Sequence, residues 1–248
     1  MLPAFVRILS FPLFGLASVV LCGVLAALSG FGSRWGWWHF STGFTILKAA
    51  AIGALASIIL AAGGALIPAP TGGRHLSAAA VAVVLGLVVV WIPWSWLREV
   101  KRLPYIHDIT TDTADPPQFK AVLAERKGAA NPAEYGGPEV AELQRRAYPQ
   151  VLPIVVSAPP DRTFDLALRV AREMGWQIVD ADRREERIEA TDRTFWYGFK
   201  DDVVIRVRQE GPGSRVDVRS LSRVGKSDVG TNARRIERYL TSLQRNIR

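Results

Sequence analysis

The chain has 248 residues, 49% of them hydrophobic, with 31 Lys/Arg against 23 Asp/Glu. That average conceals a division. From Met1 to Leu97 there is no Asp or Glu, and only Arg7, Arg34, Lys48 and Arg74 are basic, so 27 of the 31 basic residues and all 23 acids lie from Arg98 onward. The second part therefore has a small positive excess interspersed with acids, a pattern of solvated faces rather than of nucleic-acid binding. A lone cysteine, Cys22, excludes an intrachain disulfide and a cysteine-built metal site.

Three apolar stretches, about Phe11–Phe31, Phe44–Ile67 and Leu76–Leu97, are each long enough to cross ~30 Å of hydrocarbon at about 1.5 Å per residue. The first also resembles a cleavable signal peptide, with Arg7 before it and small residues at its end. Two further spans follow at once, which favours a retained helix. Lipidation at Cys22 is disfavoured by Leu21, too large for that cleavage signal. Lys48 lies one turn inside the second span, where its long stem can carry the ammonium to the interface. With no carboxylate in any span, pump or transporter chemistry is not expected.

Six of the eight tryptophans, Trp35, Trp37, Trp38, Trp91, Trp94 and Trp96, fall after the first span or at the end of the third. In a three-span chain those places share one side. They form an aromatic belt there beside Arg34, Arg98, Lys101 and Arg102. Five basic residues on that side (with Lys48) against Arg7 and Arg74 on the other lean toward a cytoplasmic soluble part. The Pro68–Gly73 loop reads as a tight turn. Ala49, Ala50, Gly53, Ala56 and Ala61–Gly64 are expected to face Ala78–Ala80 and Ala82 in a close helix hairpin.

The chain divides as a three-helix anchor (1–102), an extended linker with a short helix over Pro138–Ala147 (103–150), and an α+β domain (151–248). In the linker His107, Asp108, Asp112 and Asp115 lack ligand spacing and read as turn formers, so no metal is expected. Val151–Ser157 reads as a strand, and Pro159-Pro160-Asp161 opens a helix stopped by Gly175. Four strands with period two follow, marked by Trp176/Ile178, Ile188/Ala190, Val203/Ile205/Val207 and Val216/Val218. A last helix, about Val229–Ile247, carries an apolar stripe. The order β-α-β-β-β-β-α predicts an antiparallel sheet with helices on one face. The other face, with Arg187, Glu189, Arg206, Arg208, Arg215, Asp217 and Arg219, reads as a solvated, cross-paired surface.

Two clusters invite a chemical reading. Gly225-Lys226-Ser227 before a helix resembles the end of a phosphate-binding loop, but Ser220 stands where that motif needs glycine. Ser227 or Asp228 is the expected cap, leaving a weak anion or partner surface of Arg223, Lys226, Ser227, Asp228 and Arg234, with His107, Lys200 and Asp201. Trp196-Tyr197-Gly198-Phe199 before Lys200-Asp201-Asp202 reads as a turn with an aromatic flank, because adjacent strand carboxylates point to opposite faces and do not converge. The only histidines are His39, His75 and His107. They give no Ser/His/Asp arrangement, so neither a catalytic residue nor a cofactor site is assigned.

The run Ile106-His107-Asp108-Ile109-Thr110-Thr111-Asp112 with Asp115-Pro116-Pro117 resembles the opening of the domain-of-unknown-function 1499 family. So do Phe199–Val207 and Ser222–Asp228 with Asn232 and Arg235, in order, over roughly Leu103–Leu243. The resemblance implies no established activity or cofactor. It does imply an exported envelope domain, opposite to the charge count. The expected protein is a membrane-tethered, non-enzymatic binding or scaffold protein of the bacterial inner membrane, with membrane lipid and another envelope protein as partners. The alternative is an enzyme acting on an acidic or lipid-like substrate at the membrane surface.

Overall fold

A computed structural model of the chain describes residues 10–67 and 73–247. Arg7 and all of the Pro68–Gly73 turn except its final glycine lie outside the described residues. The chain forms two compact units, Met1–Glu99 together with Phe195–Gly198, and Val100–Thr194 together with Phe199–Arg248. The α+β class expected of the second, and the three apolar helices expected of the first, are both present.

The helical unit contains α1 (Ser10–Arg34), α2 (Phe40–Ala65) and α3 (Arg74–Arg102). All three are long and apolar enough to cross a membrane. Without a hydrophobic drive between helices in lipid, association depends on close packing at small residues. The closest approach, expected between the second and third helices, is instead between α1 and α2. Gly64 faces Phe11 and Pro12, Ala61 faces Gly15, and Gly53 faces Cys22. Ser57 Oγ also donates to Ser18 Oγ at 2.8 Å. Partner numbers that fall as their mates rise define an antiparallel pair. α3 packs more loosely, through Gly86 against Ile58 and Val19.

In the soluble unit β1 (Asp108–Thr110) is followed by a 3-10 turn (Ala121–Ala124), α4 (Gly137–Ala147), β2 (Ile154–Val156) and α5 (Pro160–Glu173). β3 (Gln177–Asp182), β4 (Arg187–Arg193), β5 (Lys200–Glu210), β6 (Gly213–Ser222) and α6 (Thr231–Ile247) complete it. The sheet is antiparallel, in the order β1-β6-β5-β4-β3, and β2 pairs with the other end of the β6 edge. β1 is one strand more than the sequence order predicts.

Alternation sets the main core. Ile188 and Ala190, Val203, Ile205 and Val207, and Val216 and Val218 meet Phe164, Ala167, Val170 and Ala171 of α5 and Ile236, Tyr239 and Leu243 of α6. Fully burying an aliphatic side chain of this size contributes roughly 1.5–3 kcal/mol. Trp176 stacks on Tyr239 at 5.1 Å, and the Tyr239 hydroxyl donates to the Ala167 carbonyl. At the β1 edge the buried Gln144 amide accepts from Thr110 N–H and donates to its carbonyl, so it closes the ladder as a neighbouring strand would.

The other face is not a solvated surface. Residues 111–135 run across it as a strap, and Phe119, Val122, Val204 and Leu221 form a second small core beneath. Glu189, Asp217 and Arg219 on this face are fully buried. Their charges are tolerated only because each is paired and hydrogen-bonded.

Candidate functional site

The most distinctive chemistry of the soluble unit is a layer of buried ion pairs between the sheet and its strap. Glu189 accepts from the backbone N–H groups of Lys120, Ala121 and Val122 at 2.8, 3.1 and 2.8 Å, and also pairs with Arg187. Its carboxylate thereby caps the 3-10 turn, using the orphan amides that any helix start leaves. Asp202 takes the guanidinium groups of Arg126 and Arg223 and the hydroxyl of Thr191. Arg219 grips Asp108 with two nitrogens, at 2.9 and 2.7 Å, and donates to the Pro117 and Ala133 carbonyls of the strap. The rings of Phe119 and Tyr135 lie 5.0 and 5.5 Å from the same guanidinium. Burial first, and the nearby Asp108 carboxylate second, push the Tyr135 phenol up to about 12.

At the rim, Asp217 gathers Arg206, Arg208 and Arg215, and Asp112 and Asp115 of the strap complete the cluster. Burial raises the Asp112 carboxyl. The N–H groups of Asp115 and Ala114, with Arg215 and Arg206, outweigh it and hold the group below the usual carboxylate range. On the helix face Arg235 bridges Asp192 and Asp201 at 2.7 and 2.6 Å and reaches Ser220 and Asn232. The carboxylates of the layer are each matched to donors, while Arg126 Nε, Arg206 Nε and the Tyr135 hydroxyl are buried without a hydrogen-bond partner. The layer therefore fixes backbone segments rather than presenting a carboxylate poised to exchange a proton.

The residues singled out from sequence are distributed accordingly. Asp201 and Asp202 point to opposite faces, each in its own ion pair. Arg223 is buried against Asp202 and Glu125. Ser227 Oγ accepts from Val229 N–H, and the Asp228 carboxylate accepts from the N–H groups of Gly230 and Asn232. The start of α6 is therefore filled by the protein's own anion. Lys200, Lys226 and Arg234 are exposed. The His107 carbonyl accepts from Ser222 N–H and Asn232 Nδ2, while its buried Nδ1 has no hydrogen-bond partner. Among the described residues no group of His, Cys, Asp and Glu could hold a metal ion.

A second cluster belongs to the helical unit. The turn between β4 and β5, Phe195–Gly198, packs among the helix ends rather than standing free. Trp196 Nε1 donates to the Ala27 carbonyl at 2.9 Å, and the Tyr197 hydroxyl meets Ser29 Oγ at 3.1 Å. Arg34 donates to the Phe195 carbonyl at 3.0 Å. Trp196 lies against Gly30, where a Cβ would collide with the indole, and a Cβ at Gly43 would collide with the Ser29 carbonyl and crowd the Tyr197 ring. Trp96 adds ring contacts to both. Of the anchors named from sequence, Trp38 turns inward to donate to the Ser29 carbonyl. Trp35, Trp37, Trp91, Trp94 and Trp96 are exposed, and Arg98 lies 4.5 Å over Trp94.

Sequence reasoning missed the strap's partners and the seat of the aromatic turn. Gly30 and Gly43, at helix ends opposite a Trp-Tyr pair, were the available signal. No curated protein matches the chain. One family model matches more than half of it, residues 108–243, and spans β1, the strap, the ionic layer and most of α6. By that match the chain belongs to the family of proteins of unknown function DUF1499.

Proposed function

We propose that this is a membrane-tethered, non-enzymatic binding or scaffold protein of the bacterial inner membrane, with membrane lipid and a second envelope protein as partners. The observation that carries the reading is the ionic layer. Asp108, Glu189, Asp201, Asp202 and Asp217, the carboxylates a hydrolytic or acid–base mechanism would draw on, are all committed to arginines in the sheet's own packing. Catalytic carboxylates need instead an environment that sets a pKa near the working pH. Energy invested in a rigid, charge-paired sheet suits a surface that holds shape for a partner. The test is a turnover screen of the full chain in mild detergent against lipid, sugar and phosphoester substrates. No saturable turnover is expected, and saturable turnover of any of them sinks the proposal.

The enzymatic alternative keeps one observation in its favour, the unpartnered Nδ1 of His107. On that reading His107 would be the acid–base and Lys226 would hold the anion. His107→Ala and Lys226→Ala would then abolish turnover at unchanged thermal stability.

A further inference from the structure

The chain crosses between its two units at Glu99/Val100, Thr194/Phe195 and Gly198/Phe199. Within the soluble unit these crossings converge on one end. Thr194 and Phe199 close on each other through two hydrogen bonds of 2.8 Å. Lys200 pairs with Arg193 across the ladder, and its carbonyl accepts from Arg223 N–H at 3.0 Å. The segment beyond Arg223 returns to the entry strand, with Asp228 N–H on the Ile106 carbonyl and Ser227 Oγ on that of Pro104. Gly230 abuts both Leu103 and the Arg234 guanidinium.

This end is asymmetric in charge. Lys101, Lys200, Lys226 and Arg234 are all exposed, whereas Arg102 and Arg193 have interactions of their own. The neighbouring carboxylates are turned inward: Asp192 and Asp201 to Arg235, Asp202 to Arg126 and Arg223, and Asp228 to the amides of α6. With those acids paired internally, Lys101, Lys200, Lys226 and Arg234 give this end a positive outer surface. The charged surface held nearest by covalent connection is the headgroup layer of the bilayer crossed by α3, and tethering of this kind raises effective concentration without new contacts.

We propose that this basic end binds the anionic headgroups of phospholipids in the membrane that holds the helices. The inference rests on the membrane-lipid part of the binding or scaffold reading and names its surface and lipid class, and it does not depend on whether the protein turns over a substrate. Each Lys or Arg near an anionic bilayer gains Coulomb attraction that fades within a Debye length.

The test is amine-reactive footprinting of the full chain in nanodiscs of zwitterionic lipid or of the same lipid with about a third anionic lipid, read by mass spectrometry. Lys200 and Lys226 are expected to label about fivefold more slowly in the anionic discs at low salt, and the difference is expected to vanish at high salt. Lys120 of the strap, ion-paired with Glu185 of the β3–β4 turn, is expected to label alike in both. In a Lys101→Gln/Arg234→Gln variant the contrast at Lys200 and Lys226 should shrink. Equal labelling in the two discs overturns the proposal, as does equal protection in both, which would mean shielding by something other than anionic lipid. Turnover of a substrate would leave this result untouched, so the two readings fail separately.

Discussion

Asp228 accepts two amides at the start of α6, Gly230 N–H at 3.0 Å and Asn232 N–H at 2.6 Å. It is also largely buried, and that burial pushes its carboxyl above the usual carboxylate range against the lowering effect of the same two amides. A cap and a buried charge thus oppose each other in one side chain. Asp228→Ala removes the cap and should cost about 1 kcal/mol. Asp228→Asn keeps the cap and removes the charge, so at neutral pH it should be as stable as the parent or more so. The sign follows from linkage. The folded state binds the proton more tightly than the unfolded one, so this group's stability contribution is fully present below its unfolded pKa and is lost as pH rises through the raised value. Thermal midpoints of parent and Asn variant in mild detergent should therefore converge as pH falls toward 3 and separate above it. A gap that widens on acidification would show that the charge, not the cap, stabilises the helix.

At the scale of elements, the aromatic turn gives the sharpest test of how α1 and α2 are shaped. Gly30 has the Trp196 indole where a methyl would sit. Gly30→Ala alone should destabilise the helical unit, although alanine is the better helix former by up to ~1 kcal/mol. In a Trp196→Ala background the obstruction is gone, and the same Gly30→Ala change should become neutral or stabilising. A thermal-unfolding cycle over the four proteins measures that reversal. Additive effects would mean that the turn does not occupy its seat. The same scale shows what the sequence could and could not disclose. Period-two alternation located β3 to β6, and the Gly175 stop ended α5, because those signals are local. β1 is three residues long, and its Asp108–Thr110 chemistry reads as turn-forming. Its partners Arg219 and Leu221 on β6 lie more than a hundred residues away. Alternation makes the back face read as solvated, because it says only which residues avoid the main core. It cannot mark a second cover made from a coil segment such as Lys120–Val122 meeting Glu189. The anion surface around Lys226 was legible as a set of residue types. Its dispersal was not, since Arg223 and Asp201 find partners in Asp202 and Arg235 only once the ladder is built.

For the whole molecule, a chain whose three apolar helices all cross the bilayer has its first helix entering from the side opposite the soluble unit. In that topology the sequence assigns Arg34, Lys48, Arg98, Lys101 and Arg102 to the soluble unit's side, against Arg7 and Arg74 on the other. Translocation is opposed by Lys and Arg close to span ends, while acids contribute little. On that physics we propose a cytoplasmic soluble unit, beside the leaflet that is also the more anionic one. The export that the family resemblance implies points the other way. The two arguments differ in kind, since the charge count belongs to this chain's own anchor and the other rests on family likeness alone. A reporter fused after Arg248 separates them. A fluorescent protein that matures only in the cytoplasm is expected to be bright, and a phosphatase active only after export is expected to be silent. Replacing Arg98, Lys101 and Arg102 by Gln removes three of the five flanking charges and should produce measurable phosphatase activity from a mixed population. A silent fluorescent fusion with an active phosphatase on the unaltered chain would overturn the charge argument. The basic end of the soluble unit would then have to find its anionic lipid on the outer leaflet.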